Sequence, residues 1–439
     1  MKSVLLITDN FAPENNCAAI PNTKLAKYLV REGADVTLIT RTLTPEMSLD
    51  ESLLPTEANA MRIIRVDYGK LFSHTVQASR NKLTETGAKQ KMKEETRRGR
   101  AFLVSLMKET YFELRSRDWH SSVMKALRKE FKKEQFDCVY STYPDASCHL
   151  IAWDLVKMGI AKKWIADFRD PMYYEYHDSF ANAYKHRAQI KFEQAADHIT
   201  IVSEGALSKF LCEGVAQEKI TYIPNGYDPE DMDVEESADC ADPGVLHIFY
   251  AGSMYWGKRD FSVIFRAMSE LADEGYLEKE KVLVEYAGRE WHVMEAFAKQ
   301  YGMESCCRNH GFITRHQVMD IMSRTDCTVV ATHNTKTDQG VVTGKVFELL
   351  MVGKPIIAVV NGDLADSELG QIVRKCEAGI VYEQASHETD YPALKQWLKE
   401  RYQEKMASGK LKSTLNEAER EKYSYKNIAH QLYRLMEEA

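Results

Sequence analysis

Residues 4–40 read VLLITDNFAPENNCAAIPNTKLAKYLVREGADVTLIT, and this stretch decides the fold. Residues 4–7 are an apolar run with the length of a buried strand. Residues 10–22, NFAPENNCAAIPN, are rich in turn residues and read as a loop. TKLAKYLVREG (23–33) sets Leu25, Ala26, Tyr28 and Leu29 at helical spacing, and Gly33 suits the position just past a helix end. DVTLIT (35–40) is a second apolar strand. Strand, loop, helix, glycine and strand in this succession make a parallel βαβ unit.

The same alternation runs on through MRIIRV (61–66), FDCVYST (136–142), KKWIADFRD (162–170), HITIVSE (198–204) and KITYIPNGYD (219–228). Residues 229–244, PEDMDVEESADCADPG, are acidic and aperiodic and read as an exposed linker. A second series follows in VLHIFYAG, KVLVEYAG, CTVVATH, KPIIAVV and AGIVYE. The expectation is an α/β protein of two Rossmann-like, doubly wound domains facing each other, residues 1–228 and 245–415. A ligand is expected in the crevice outside the carboxyl ends of the strands. Residues 416–439 read as a C-terminal helix packing back on the first domain.

A chain of 439 residues has room for two or three cores, and 44% hydrophobic with 28% charged residues is an ordinary globular balance. A net charge of -7 argues against nucleic acid as the partner. No run of eighteen apolar residues exists, so no transmembrane helix is expected, and the N-terminus reads as a strand, not as a signal peptide. Nine scattered cysteines without Cys-x-x-Cys spacing fit reduced thiols and a cytoplasmic location. Residues 70–133 carry 17 Lys and Arg against 7 Asp and Glu. That basic helical insertion is either a solvated face or a surface that rests on anionic lipid.

GVVTGKVFELLMVGKPI (340–356) holds a single carboxylate, Glu348, in an apolar helix opened by Thr343 and Gly344 and closed by Gly353. A helix N-terminus with a glycine is a ready anion site, and Lys345 adds charge. A buried Glu348 would be satisfied either by a neighbouring arginine or by a ligand's hydroxyls. Lys258 and Arg259 follow a strand that ends at Gly252 and suit a diphosphate. No Gly-x-Gly-x-x-Gly or Walker loop is present, so a dinucleotide or ATP cradle is not expected.

The order of GSMYWGKRD (252–260), HGFIT (310–314) and GKVFELLMVGKPII (344–357) resembles the nucleotide-sugar half of retaining GT-B glycosyltransferases of family four. Residues 11–40, ADFRDP (166–171), VSEGALSKFL (202–211) and YIPNGYD (222–228) look like its acceptor half. The resemblance implies transfer of a hexose-type sugar from a UDP- or GDP-sugar to a glycan or lipid-linked glycan, in bacterial polysaccharide biosynthesis, without a metal or other cofactor. It assigns donor binding to Gly252, Ser253, Lys258, Arg259, His310, Gly311, Phe312, Ile313, Gly340, Thr343, Gly344, Lys345 and Glu348. Glu348 would bind the ribose hydroxyls, and His310, Gly311, Phe312 and Ile313 would line the base.

Two positions depart from the family pattern. Gly340 stands where the family has an earlier glutamate, whose work would pass to backbone or to a neighbour such as Asp338. Asn15 and Asn16 stand near a family Gly-Gly pair and are expected to tolerate left-handed backbone. Asp170 and His149 are the catalytic candidates, and Arg169 joins the two asparagines on the acceptor side. His149 also reads as a structural histidine, and Asp170 as a turn-forming Asp-Pro. The rival functions are a GT-B sugar-nucleotide epimerase and a non-catalytic nucleotide-sugar-binding subunit.

Overall fold

The computed structural model describes residues 2–69, 72, 94–131, 135–173, 180–231, 242–255 and 258–438. Most of the basic segment before residue 94 and of the acidic linker lies outside the described residues, as do the side chains of Arg97, Arg98 and Arg100. The chain forms two compact units. The first comprises residues 1–202, 206–224 and 428–439, and the second residues 203–205 and 225–427.

The first unit is built on a parallel sheet of β1 (Ser3–Ile7), β2 (Asp35–Arg41), β3 (Arg62–Val66), β4 (Phe136–Tyr143), β5 (Ala161–Phe168), β6 (His198–Ile201) and β7 (Ile220–Tyr222). Their spatial order is β3-β2-β1-β4-β5-β6-β7. Both faces are covered, so the strands are apolar along their length instead of alternating. Helix α1 (Ala19–Arg31) begins earlier than its apolar spacing suggests. Pro21 sits in its first turn, where a missing N–H is harmless, and the Asn16 side-chain oxygen accepts from the Ala18 and Ala19 amides at 2.9 and 2.8 Å.

Helix α2 (Glu94–Glu130) spans the second half of the basic insertion. Trp119, Val123 and Leu127, four residues apart, are fully buried in the first core. The Trp119 indole N–H donates to the Val66 carbonyl at 3.0 Å. This end of the helix is therefore part of the fold and not only a solvated face. Helices α3 (Ala146–Lys157), α4 (Phe180–Ala195) and α5 (Glu204–Cys212) follow.

The second unit holds β8 (Leu246–Ala251), β9 (Val282–Ala287), β10 (Cys307–Gly311), β11 (Cys327–His333), β12 (Ile356–Asn361) and β13 (Gly379–Glu383). All pair in parallel, in the order β10-β9-β8-β11-β12-β13. Helices α6 (Ser262–Asp273), α7 (Trp291–Gln300), α8 (Arg315–Arg324), α9 (Lys345–Val352), α10 (Glu368–Lys375) and α11 (His387–Ser408) connect and flank the strands. Lys405 of α11 is completely buried and donates to Asp326 at 2.8 Å, while the other oxygen of that carboxylate takes the His247 amide at 2.9 Å. A short α12 (Glu417–Glu421) precedes α13 (Tyr425–Glu438), which belongs to the first unit from Ile428 onward.

One polar cluster in the first unit makes its stability depend on pH. Gln189 of α4 donates to Glu193 at 2.7 Å and to Glu213 at 3.3 Å, and its carbonyl takes the Met172 amide at 3.0 Å. Tyr173 and His186 also bind Glu213. Burial, then the neighbouring Glu213, push the Glu193 carboxyl up to about 8. A raised carboxyl contributes stability that is complete below its unfolded value near 4.3 and is lost as pH rises through about 8. Glu193→Gln should therefore gain in melting temperature over wild type between pH 5 and pH 8. Melting curves that stay parallel across that range would refute the protonated pair.

Candidate donor-binding site

In the second unit the sequence order of strands reverses between β8 and β11. Successive right-handed crossovers leave in opposite directions there, and the loops at the carboxyl ends part. The loop after β8 carries Gly252, Ser253, Lys258 and Arg259; the loop after β11 leads through Gly340 and Thr343 into α9. Gly252 has φ +136°, and a Cβ there would lie 2.7 Å from Cε of Lys345. The missing side chain leaves the end of β8 open for the lysine to cross it.

Lys345 opens α9, with Gly344 as its N-cap. The Val346 and Phe347 amides turn back onto the Thr343 and Gly344 carbonyls at 3.1 and 3.3 Å, so the amides of Gly344 and Lys345 form the open end of the helix. Burial, with repulsion from Arg259 and Arg315, lowers the Lys345 ammonium below the usual lysine range against the pull of Glu348. Lys345 thus has two arginines and one glutamate for charged neighbours. Lys258 is exposed, with its amide on the Tyr255 carbonyl at 3.2 Å, while the Arg259 guanidinium stacks on the Tyr255 ring at 4.3 Å.

Glu348 differs from its expected state. Val346, Phe347, Leu349, Leu350 and Met351 are buried, but the Glu348 side chain keeps 27% of its surface. At 100° per residue, sequence neighbours on a helix face elsewhere, so an apolar run does not by itself bury the residue inside it. Its partner is Arg315, the first residue of α8, at 3.2 Å. Arg315 also reaches Asp231 at 3.5 Å. The arginine is thus the protein's answer to the carboxylate.

Beyond β9 and β10, the Gly288 amide donates to the Gly311 carbonyl at 2.8 Å and ties two loops together. Phe312, 72% exposed, stands out from them with the Arg289 guanidinium 4.1 Å from its ring centre. Ile313 packs inward against the core. His310 is held by Glu285 at 2.8 Å, and His247 by the other oxygen of that carboxylate at 2.9 Å. Burial alone would raise Glu285, but these hydrogen bonds hold it down at about 2. Arg289 and Glu285 have no motif around them, and Arg315 stands one residue past HGFIT; the roles of all three come into view only with the fold.

The acceptor-side and catalytic candidates of the first unit separate. His149 is removed from the catalytic set: it is fully buried, its ring 4.7 Å from Phe168 and 5.4 Å from Phe192, and burial lowers it to about 3. Its Nδ1 meets the Ser141 hydroxyl at 2.8 Å. Arg169 turns inward, donating to buried Asp167 at 2.9 Å, where Thr200 also donates at 2.7 Å. Asp170 is exposed beside it, its carboxyl raised by partial desolvation against the pull of Arg169. Neither Asn15 nor Asn16 takes left-handed backbone; Asn16 braces the start of α1 and donates to Asn10 at 2.9 Å.

A polar group not foreseen from the sequence lies at the strand ends of this sheet, where the order reverses between β1 and β4. Arg41, the last residue of β2, donates to the Asp9 carbonyl at 2.6 Å and pairs with Glu14 at 3.3 Å. Burial, then Asp145 beyond β4, raise the Asp9 carboxyl to about 6.

Comparison with known proteins now bears on these two units. The sequence profile described as Glycosyltransferase Family 4 matches residues 83–231, about a third of the chain. Sucrose-phosphate synthase from Thermosynechococcus elongatus has a similar structure at 14% identity, covering 100% of this chain and 99% of that one with a TM-score of 0.57. HepE of Anabaena, solved in complex with UDP and glucose, is similar at 11% identity, with 100% of both chains covered and a TM-score of 0.57. The lipopolysaccharide outer core galactosyltransferase WaaB is similar at 11% identity, over 100% of this chain and 99% of that one, with a TM-score of 0.55. No protein with a curated description matches the chain in sequence. The fold is GT-B, and the glycosyltransferase profile agrees with it over residues 83–231.

Gly340, the position that departs from the family pattern, is a glycine for steric reasons. Its φ is +69°, and a Cβ would lie 2.1 Å from the Ser203 hydroxyl and 2.9 Å from the Gly205 Cα, both within the second unit. Glu368 completes this contact by accepting from Ser203 Oγ, the Glu204 amide and the Gly205 amide at 2.8, 3.0 and 3.1 Å. Gly340→Glu, which would restore the family residue, should destabilise the protein by at least 1–2 kcal/mol on the order of the left-handed penalty alone. Urea denaturation checks it; a variant as stable as wild type would show that the contact yields freely.

Proposed function

We propose that the protein is a retaining hexosyltransferase that moves a sugar from a UDP- or GDP-sugar to a glycan or lipid-linked glycan acceptor in bacterial surface polysaccharide biosynthesis. The observation that carries the donor half is the placing of Lys345 beside Arg259, Arg315 and Glu348 at the open N-terminus of α9. A diphosphate suits these cations and the free amides, and the same groups would stabilise it as it leaves. Glu348 keeps enough exposed surface to accept from ribose hydroxyls while Arg315 holds it in place. Phe312 with Arg289 offers a face on which a base stacks, and His310 is braced beside it. HepE, a structural relative, is described with UDP-glucose, in keeping with a nucleotide-sugar donor.

On the acceptor side, the carboxylates and guanidinium of Asp9, Glu14 and Arg41 suit hydroxyl groups of a sugar. Among the described residues no helix is long and apolar enough to cross a membrane, and a lipid-linked acceptor would be met from a membrane's surface through the basic segment. The chemistry rests on positioning and on stabilising the leaving group, with no dissociable metal required.

Four measurements test the proposal. UDP, GDP and their sugars should raise the melting temperature of the purified protein, and a ligand at a hundred times its dissociation constant adds about 2.7 kcal/mol. Glu348→Gln should weaken nucleotide binding by about 1–3 kcal/mol without unfolding the protein, and unchanged affinity would remove Glu348 from the site. Where turnover is obtained, it should persist in excess EDTA; abolition with rescue by a divalent ion would overturn the metal-free mechanism. Lys345 adds a signature of its own. Because its ammonium is lowered, an arriving diphosphate raises it again, so nucleotide binding in alkaline buffer should take up protons, as calorimetry in buffers of different ionisation enthalpy reports.

A further inference from the structure

The turn after β8 is tied to the neighbouring strand by one carboxylate and one phenol. Glu290, the N-cap residue of α7, accepts on Oε2 from the Ser253 hydroxyl at 2.5 Å and from the Met254 amide at 2.7 Å. Tyr286 of β9 donates its hydroxyl to the Gly252 carbonyl at 3.0 Å and accepts the Glu290 amide at 3.0 Å. The phenol oxygen therefore bridges a carbonyl of one loop and an amide of the other. A Cβ on Gly288 would lie 2.1 Å from that oxygen and 2.7 Å from the Gly252 carbonyl, so position 288 has no space for a side chain between them.

The turn needs such ties. Gly252 has φ +136° and Tyr255 has φ +48°, a left-handed conformation that disfavours a residue with a side chain. Met254 anchors the base of the turn in the core, while Ser253 and Tyr255 are exposed. Arg259 is built onto this turn. Its amide donates to the Met254 carbonyl at 3.1 Å, its guanidinium reaches the Ser253 carbonyl at 3.4 Å, and it stacks on the Tyr255 ring. Arg259 is in turn a charged neighbour of Lys345, whose side chain crosses Gly252. An unbroken series of contacts thus runs from Glu290 through Ser253 and Met254 to Arg259 and Lys345.

We propose that Glu290 and Tyr286 are positioning residues for the donor's diphosphate: they set the turn after β8 so that Arg259 stands beside Lys345. The inference rests on the donor reading above and adds to it the pair that holds the cations in place. Hydrogen bonds to a carboxylate are stronger than those to a neutral acceptor, which suits a turn with two unusual backbone conformations. By charge alone, a carboxylate this close to the cations opposes an arriving diphosphate. Positioning acts in the other direction, so the sign of the effect separates the two.

Affinities of UDP, UMP, GDP and GMP are measured by calorimetry, with melting temperatures, for wild type, Glu290→Ala, Glu290→Gln and Tyr286→Phe. The ratio of diphosphate to monophosphate affinity isolates the part of binding that the turn serves. Wild type should prefer the diphosphate of at least one base. Glu290→Ala should lower that preference about tenfold and leave the monophosphate's affinity unchanged. Glu290→Gln keeps an oxygen that accepts from Ser253 and Met254 and should recover most of the preference. Tyr286→Phe removes only the bridging hydroxyl and should lower the preference in the same direction, which tests the turn even should Glu290→Ala fail to fold. A preference unchanged or raised in either folded variant overturns the inference, a rise being what removal of a nearby negative charge gives by itself. A parallel fall of both affinities with the melting temperature marks a general brace and overturns it too, as does a wild type that binds nucleotides without preferring the diphosphate. Failure of all four nucleotides to bind wild type would instead refute the donor reading, and this inference with it.

Discussion

The functional part of the second unit depends on one topological constraint, the reversal of strand order between β8 and β11. Every crossover in a parallel sheet is right-handed, so helices leaving from either side of the reversal cover opposite faces. No helix then packs directly across the two strand ends, and the loops there are free to carry polar side chains. Gly252, Lys345, His333 and Asp338 all stand on those two loops or at their junctions with regular structure. The same reversal occurs between β1 and β4 in the first unit, and Asp9 and Asp145 lie just beyond those two strands. Polar residues at both places follow from the topology. They are the positions where a parallel α/β unit can expose charge without opening its core.

Charge balance then decides what the β8/β11 site can hold. A lysine whose ammonium is lowered by burial and by two arginines is a strained electrostatic state. Glu348 relieves part of it but is itself tied to Arg315, and Arg315 is shared with Asp231. By contrast, Lys405 and Asp326 are almost wholly buried and form a pair that also satisfies a backbone amide. The second arrangement is satisfied within the protein. The first leaves a lysine beside two arginines, and the donor proposal rests on that difference.

The alternation of apolar runs and helical spacings is enough to read twelve of the thirteen strands, because a strand buried on two faces is a continuous apolar word; β10, CRNHG at a sheet edge, is not one. The α9 helix with its opening and closing glycines was equally legible. The surroundings of a side chain are less legible. The sequence neighbours of Glu348 are buried, yet a helix separates adjacent residues by 100° and Glu348 keeps part of its surface. Its partner Arg315 is distant in sequence and starts another helix, so no local pattern signals the pairing. For His149 the sequence leaves a catalytic and a structural reading open. In the fold it is enclosed by Phe168, Phe192 and Trp164 and held neutral. Burial of a polar residue is a tertiary property, and only its local bias is written in the chain.

Gly340 shows how one steric contact reshapes a site. A left-handed residue pressed against the Ser203 hydroxyl and the Gly205 backbone admits no side chain, so a carboxylate cannot be presented from that point in the loop. The neighbouring polar residues of the loop have ordinary backbone geometry. His333 closes a strand and Asp338 sits in a turn, and neither has the positive φ that would favour glycine. Both therefore carry full side chains at no conformational penalty, a few residues from the point where none fits. The polar groups of this loop are placed by the same backbone that excludes one from position 340: the turn that forces the glycine also brings the Asp338 carboxylate back to His333.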